Sequence, residues 1–168
     1  LYDRGITMND VNPDYVVIGE ARAYSLDTLT KATNLVLAGA KLIGANSDTC
    51  GPTDEGIAPA CRALIAPVEI ATGKQAYFCG KPNPLMMRTG LRILGCHSGE
   101  AVMIGDRMDT DVISGMESGM STVLVFSGVS TRATLDEFAY RPSAVLDGVG
   151  DIPRLAQQGC CLLYTSDA

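Results

Sequence analysis

Apolar residues along the chain gather in short runs, and the stretches between them repeat with a helical period. The run at 13–21, PDYVVIGEA, is bounded by turn residues and predicts a buried strand. At 25–40, SLDTLTKATNLVLAGA sets apolar residues at helical spacing behind Ser25 or Asp27 as a cap and ends around Gly39. A second short strand is predicted at 41–46. The Gly-, Pro-, Ser- and Asp-rich segment 47–59 predicts a loop. Residues 60–73 predict a helix that Pro67 kinks or interrupts, and 75–80 a third strand. Further on, the pattern predicts a helix at 85–95, a strand at 101–106, a helix at 109–120 and a strand at 121–129. A polar, turn-rich stretch follows at 131–143, then a last short strand at 143–149.

Strands alternating with helices in this way form βαβ units and a mainly parallel sheet, so the expected fold class is α/β. Ligands of such sheets gather at the carboxyl ends of the strands. Two loops stand there, Gly105–Asp106 after AVMI and 127–129 after TVLVF. Composition agrees with a packed domain, because 46% of the 168 residues are hydrophobic and 19% are charged. The net charge of −6 comes with no basic stripe, so nucleic acid is not an expected partner. No apolar run approaches the roughly 18–20 residues of a membrane span, and a membrane is not expected either. The chain opens LYDRGITMND without an initiator Met or a basic-then-apolar leader, and reads as the middle of an open reading frame. Its six cysteines form no C-x-x-C pair, which predicts free thiols in a cytoplasmic protein. The tail 154–168 continues none of these patterns and is expected to be of doubtful origin.

The chemistry concentrates in GDRMDTD. Asp106 directly follows an apolar strand, with Asp109 and Asp111 close behind. Helix capping accounts for one such acid, whereas a hard divalent cation bound by carboxylate oxygens accounts for acids clustered at a strand end. Lys81 in GKPNP also follows an apolar run, which sets its ammonium at a neighbouring strand end. It is either a surface lysine in a turn or a fixed cation able to hold a phosphate.

In that order, FCGKPNPLMMRTGLRILG and VMIGDRMDTDVISGMESGMSTVLVFSGVST resemble the third and fourth motifs of the haloacid dehalogenase (HAD) superfamily. More narrowly they resemble subfamily IIA, the NagD-like and p-nitrophenylphosphatase-like phosphatases. The likeness runs from Leu1 to about Pro153. It implies a HAD-like Rossmannoid parallel sheet, present in part, with a C2-type α/β cap. Residues 1–76 would then be an incomplete cap, 77–153 the C-terminal half of the core, and 154–168 the tail. By the same likeness Lys81 would bind phosphate, Asp106 would be a Mg²⁺ ligand, and Asp111 would support the site from behind. Arg107, Met108, Asp109 and Thr110 would line the substrate pocket. In GANSD, where the family usually reads TNPD, Asn46 and Asp48 would help shape that pocket. They are equally explained as turn-forming residues of a loop. The implied partner is a small phosphorylated metabolite, and a homodimer is a further one.

The superfamily begins its reaction with a nucleophilic Asp in a D-x-D at the end of a strand. The one D-x-D of this chain, Asp109–Asp111, lies inside the fourth motif. The expectation is therefore the C-terminal part of a phosphatase, inactive alone because the covalent route needs its nucleophile. Two other readings stay open: a non-catalytic Mg²⁺- or phosphate-binding module, and a receiver-like signalling domain, whose acid-before-lysine order this chain reverses.

Overall fold

The computed structural model describes residues 2–21, 23–153 and 162–164. The chain divides into two units, Leu1–Cys79 and Gly80–Ala168.

In the first unit, strands β1 (Tyr15–Ile18), β2 (Lys41–Gly44) and β5 (Tyr77–Phe78) form a parallel sheet in the order β1-β2-β5. Helix α1 (Leu26–Leu37) starts where Ser25 accepts a hydrogen bond from Thr28 N, and the chain leaves it through Gly39 at φ +121°. Helix α2 (Cys61–Thr72) runs unbroken through Pro67. Proline removes one helical donor and costs most where the orphaned carbonyl is buried. Here Pro67 and Ala63, whose carbonyl loses its partner, both face solvent, so that carbonyl stays open to water. The two helices bury Ala32, Val36, Ile65 and Val68 against Ile18 and Leu42 of the sheet. The segment expected to be a loop contains a hairpin, β3 (Cys50–Thr53) and β4 (Gly56–Pro59). Its strands hold Gly and Pro instead of alternating apolar residues, so period-2 patterning does not reveal them. Thr53 Oγ1 donates to Gly56 O (3.1 Å), and Gly56 takes the positive φ the turn requires.

In the second unit, β6 (Val102–Gly105), β7 (Ser121–Val125), β8 (Ala144–Leu146) and β9 (Leu162–Tyr164) form a parallel sheet ordered β8-β7-β6-β9. Successive residues of β6 go to opposite cores. Met103 packs with Met87 and Leu91 of helix α3 (Pro84–Leu94), and Val102 and Ile104 pack with Val123 and Val125. Burial on both faces explains why AVMI is a continuous apolar run. Helix α4 (Ile113–Glu117) lies so close to the sheet that a Cβ on Gly115 would come within 2.5 Å of Thr122. The polar stretch after β7 holds a five-residue helix, α5 (Arg132–Asp136). Thr131 and Thr134 cap it reciprocally, a weaker signature than Ser/Thr with Glu/Gln.

The tail expected at 154–168 lies outside the described residues except for β9, which pairs with Val102–Ile104 of β6. Cys50, Cys61, Cys79 and Cys96 are free thiols, while Cys160 and Cys161 fall outside the described residues. No helix among the described residues is long and apolar enough to cross a membrane.

Candidate active site

After Gly105, the last residue of β6, the chain passes through Asp106 and an extended Arg107 into a single π-type turn, Met108–Val112, that runs into α4. The amides of Asp111 and Val112 both donate to Arg107 O at 3.1 Å. The wider turn carries Asp111 back beneath the strand end. Such turns recur at functional sites, and hydrophobic periodicity gives no sign of them.

Asp111 is buried, 2% exposed, and its Oδ1 lies 2.8 Å from Lys81 Nζ. Its Oδ2 accepts from Arg107 N at 3.0 Å. Lys81 is itself only 6% exposed, so it is not a surface lysine of a turn. The segment carrying it is tied down by Asn83, which donates N–H to Gly80 O (2.9 Å) and caps α3 through Leu85 N. Burial pushes the Asp111 carboxyl above the ordinary carboxylate range. Lys81 and the Arg107 amide oppose that rise, and the nearby charge of Asp106 adds to it.

Asp106 stands at the rim, partly exposed. Its Oδ2 accepts from Val129 N at 2.6 Å, and its main-chain carbonyl accepts from Ser130 N at 3.0 Å. Both amides belong to the loop that follows β7. Two glycines make room for the acids. A Cβ on Gly105 would lie 2.2 Å from Asp111 Cγ, and one on Gly128 would lie 1.9 Å from Asp106 Oδ2. The sequence placed both loops at strand ends but gave no sign that one grips the other's carboxylate.

Of the residues expected at a substrate pocket, Arg107 and Asp109 form a two-pronged pair, Nε–Oδ1 at 3.1 Å and Nη2–Oδ2 at 3.0 Å, with Asp109 exposed. Met108 and Thr110 turn inward. Met108 packs with Val112 and Leu124, and its carbonyl accepts from the Tyr140 hydroxyl at 2.7 Å. Burial, with the charges of Asp109 and Glu117, pushes the Tyr140 hydroxyl up. The structure therefore gathers Lys81, Asp106 and Asp111 in the second unit. Asn46 and Asp48 belong to the first unit, in the loop after β2. There Asn46 accepts from Asp48 N (3.1 Å) and donates to Glu20 (3.0 Å), the bonding of a turn-forming Asn. His97 is exposed and caps the short turn Ser98–Glu100.

A hard cation such as Mg²⁺ binds through one or two carboxylates, with water and phosphate oxygens completing its shell. Asp106 fits as such a donor, because it directly follows a parallel strand and the missing side chain of Gly128 leaves its carboxylate room. Among the described residues no three His, Cys, Asp or Glu side chains converge on one point.

Comparison with known proteins gives the chain's relatives. Residues 78–152 match the family described as HAD-hydrolase-like. The chain is 48% identical over 152 residues to a dihydroxyacetone phosphatase of Corynebacterium glutamicum, covering 90% of this chain and 55% of that protein. It is 41% identical to the ribonucleotide monophosphatase NagD of Escherichia coli, covering 90% and 60%. Among solved structures, NagD from E. coli K-12 superposes with a TM-score of 0.80 at 40% identity, over 89% of this chain and 59% of that one. A 4-nitrophenylphosphatase from Thermotoga maritima superposes with a TM-score of 0.85 at 30% identity, over 91% and 59%. The chain thus spans between half and two thirds of the length of these relatives.

Proposed function

The chain belongs to the HAD-like hydrolases of the NagD and p-nitrophenylphosphatase kind, and from that premise we propose that it is the phosphate- and metal-binding part of a phosphomonoesterase. Its substrates are small phosphate monoesters, of the nucleoside monophosphate or sugar phosphate class. The names of the relatives, among them acid sugar phosphatases, support that range. In the parent enzyme an Asp supplied by the remainder of the protein takes the phosphoryl group. Residues 1–76 act as a cap, with Asn46 and Asp48 shaping the pocket, and residues 77–153 carry the half-core. A cytoplasmic enzyme able to form homodimers is the setting that this reading implies.

The observation that carries the reading is the buried Lys81–Asp111 pair, held at 2.8 Å close to Asp106. Asp111 fixes the ammonium of Lys81 at a strand end, where it neutralises a phosphate oxygen and the charge that grows in the transition state. Asp106 contributes the carboxylate ligand for Mg²⁺. When bound, that ion supplies charge neutralisation and orientation for the phosphate. Arg107, fixed by Asp109, faces the substrate.

The only D-x-D offers no nucleophile, because Asp109 is paired with Arg107 and Asp111 with Lys81. The same observation favours a second reading, in which this polypeptide alone binds Mg²⁺ or phosphate without turnover. Hydrolysis of p-nitrophenyl phosphate tests both readings. The chain is assayed with and without Mg²⁺, alone and mixed with a separately made half that carries a strand-borne D-x-D. Background rates alone, with Mg²⁺-dependent activity in the mixture that Asp106→Asn abolishes, are the expected result. Turnover by the unmixed chain would contradict it.

A further inference from the structure

The geometry points to the loop 127–130 as a clamp that orients Asp106, with Gly128 as its positioning residue. The inference rests on the metal-ligand role proposed above for Asp106. Two hydrogen bonds converge on that one residue from a loop distant in sequence, and a glycine of the same loop makes room for it. Val129 N donates to Oδ2 at 2.6 Å, and Ser130 N donates to the main-chain carbonyl at 3.0 Å. The Cβ position of Gly128 falls 1.9 Å from Oδ2 and 2.4 Å from Cγ.

Gly128 does not serve the backbone in the usual way, since its φ lies outside the left-handed region that favours glycine. What demands glycine is space, and the space is filled by a carboxylate. An added methyl group cannot coexist with Asp106 while the loop stays in place, because Asp106 Cβ lies only 2.6 Å from it. Gly128 is exposed, but no rotation of the carboxylate relieves that contact, so the loop itself backs away and Val129 N loses its acceptor. Gripping side chain and carbonyl together fixes both the position and the facing of Oδ1. Groups that orient a ligand in this way are typically worth roughly 10–100-fold in metal affinity. Ser130 N holds the carbonyl independently of the side chain, so Asp106→Asn removes the charge while leaving the loop in register.

The test uses the full 168-residue chain, NMR spectra and Mg²⁺ as the probe. In the wild-type chain, the Val129 amide proton resonates downfield because it donates to a carboxylate. Titration with Mg²⁺ then moves the Asp106 carboxyl carbon and the Val129 and Ser130 amides together. Gly128→Ala keeps the spectrum outside loop 127–130 and the folded state, returns the Val129 amide upfield, and weakens Mg²⁺ binding roughly 10–100-fold. Gly90→Ala is the control, a glycine of α3 with nothing within 4 Å of its Cβ position, and it behaves as the wild type. A Val129 amide left unmoved by Gly128→Ala, or unchanged Mg²⁺ affinity in that variant, overturns the clamp. An Asp106 carbon that ignores Mg²⁺ in the wild-type chain overturns the metal role instead. The clamp is then judged on the Val129 amide without metal.

Discussion

Asp111 and Asp106 sit in the same seven-residue motif and each lies against a glycine with no room for a Cβ, yet their surroundings are opposite. Asp111 is sealed beneath the strand end, with Lys81 on one oxygen and a main-chain amide on the other. Asp106 stands at the rim, and an amide of a surface loop grips it. A buried charge cannot be moved without exposing its partner to an apolar interior, so the Asp111 corner is coupled to folding. A rim charge can rotate into water, so the Asp106 corner is released from that constraint and, on the function proposed above, answers to binding. The difference lies in what surrounds each acid, since the residue type is the same.

Breaking the buried pair gives the largest effect. Lys81→Met leaves Asp111 as an uncompensated buried acid and should cost about 3–5 kcal/mol, read as a fall in the denaturant midpoint. Pairing it with Asp111→Leu should recover most of the loss, because an apolar pair of similar volume replaces a buried ion pair at little cost. A Lys81→Met chain as stable as the wild type would show that the corner is not held by this pair.

The two glycines sharpen the contrast. Gly105→Ala drives a methyl group into Asp111, which has nowhere to go, and should destabilise by about 1–3 kcal/mol. Gly128→Ala forces the shorter contact of the two, yet its loop is exposed and can back away, so the loss should be smaller, about 1 kcal/mol or less. Thermal unfolding of the two variants side by side decides the matter. Equal losses would mean that the rim is as closed as the corner.

Reading the sequence recovered the parallel α/β layout, because strands buried on both faces leave unmistakable apolar runs such as AVMI and TVLVF. It also placed Lys81 beside the acids, since both follow such runs, but the strand ahead of Lys81 pairs in the other sheet, and what joins the lysine to the acids is its ion pair with Asp111. What it could not recover depends on contacts between segments. The hairpin at Cys50–Pro59 lacks alternation, and α5 is only five residues long with a Thr–Thr cap. The π-type turn that buries Asp111 and turns Met108 inward changes the helical phase by one residue, which a 3.6-residue pattern absorbs. The hold of Val129 on Asp106 joins residues 23 positions apart in sequence.

The pH dependence is the finest of these tests. Asp111 has a higher pKa in the folded chain than its ordinary value of 3.8, chiefly because of burial, so the folded state binds that proton more tightly than the unfolded state does. Its contribution therefore favours the fold fully below 3.8 and is lost as pH rises through the folded value. Asp111→Asn cannot titrate, which makes it the reference against which other groups cancel. Expressed as unfolding free energy, the wild type should lose ground to Asp111→Asn as pH climbs from 3.8 and then run parallel to it. Lys81 limits that loss by favouring the ionised acid. In Lys81→Met the decline should extend to higher pH, and the cost of the substitution should shrink in acid, where Asp111 is already neutral. A gap that widens in acid instead would mean that Lys81 and the Arg107 amide outweigh burial, and that the pair stabilises the ionised corner outright.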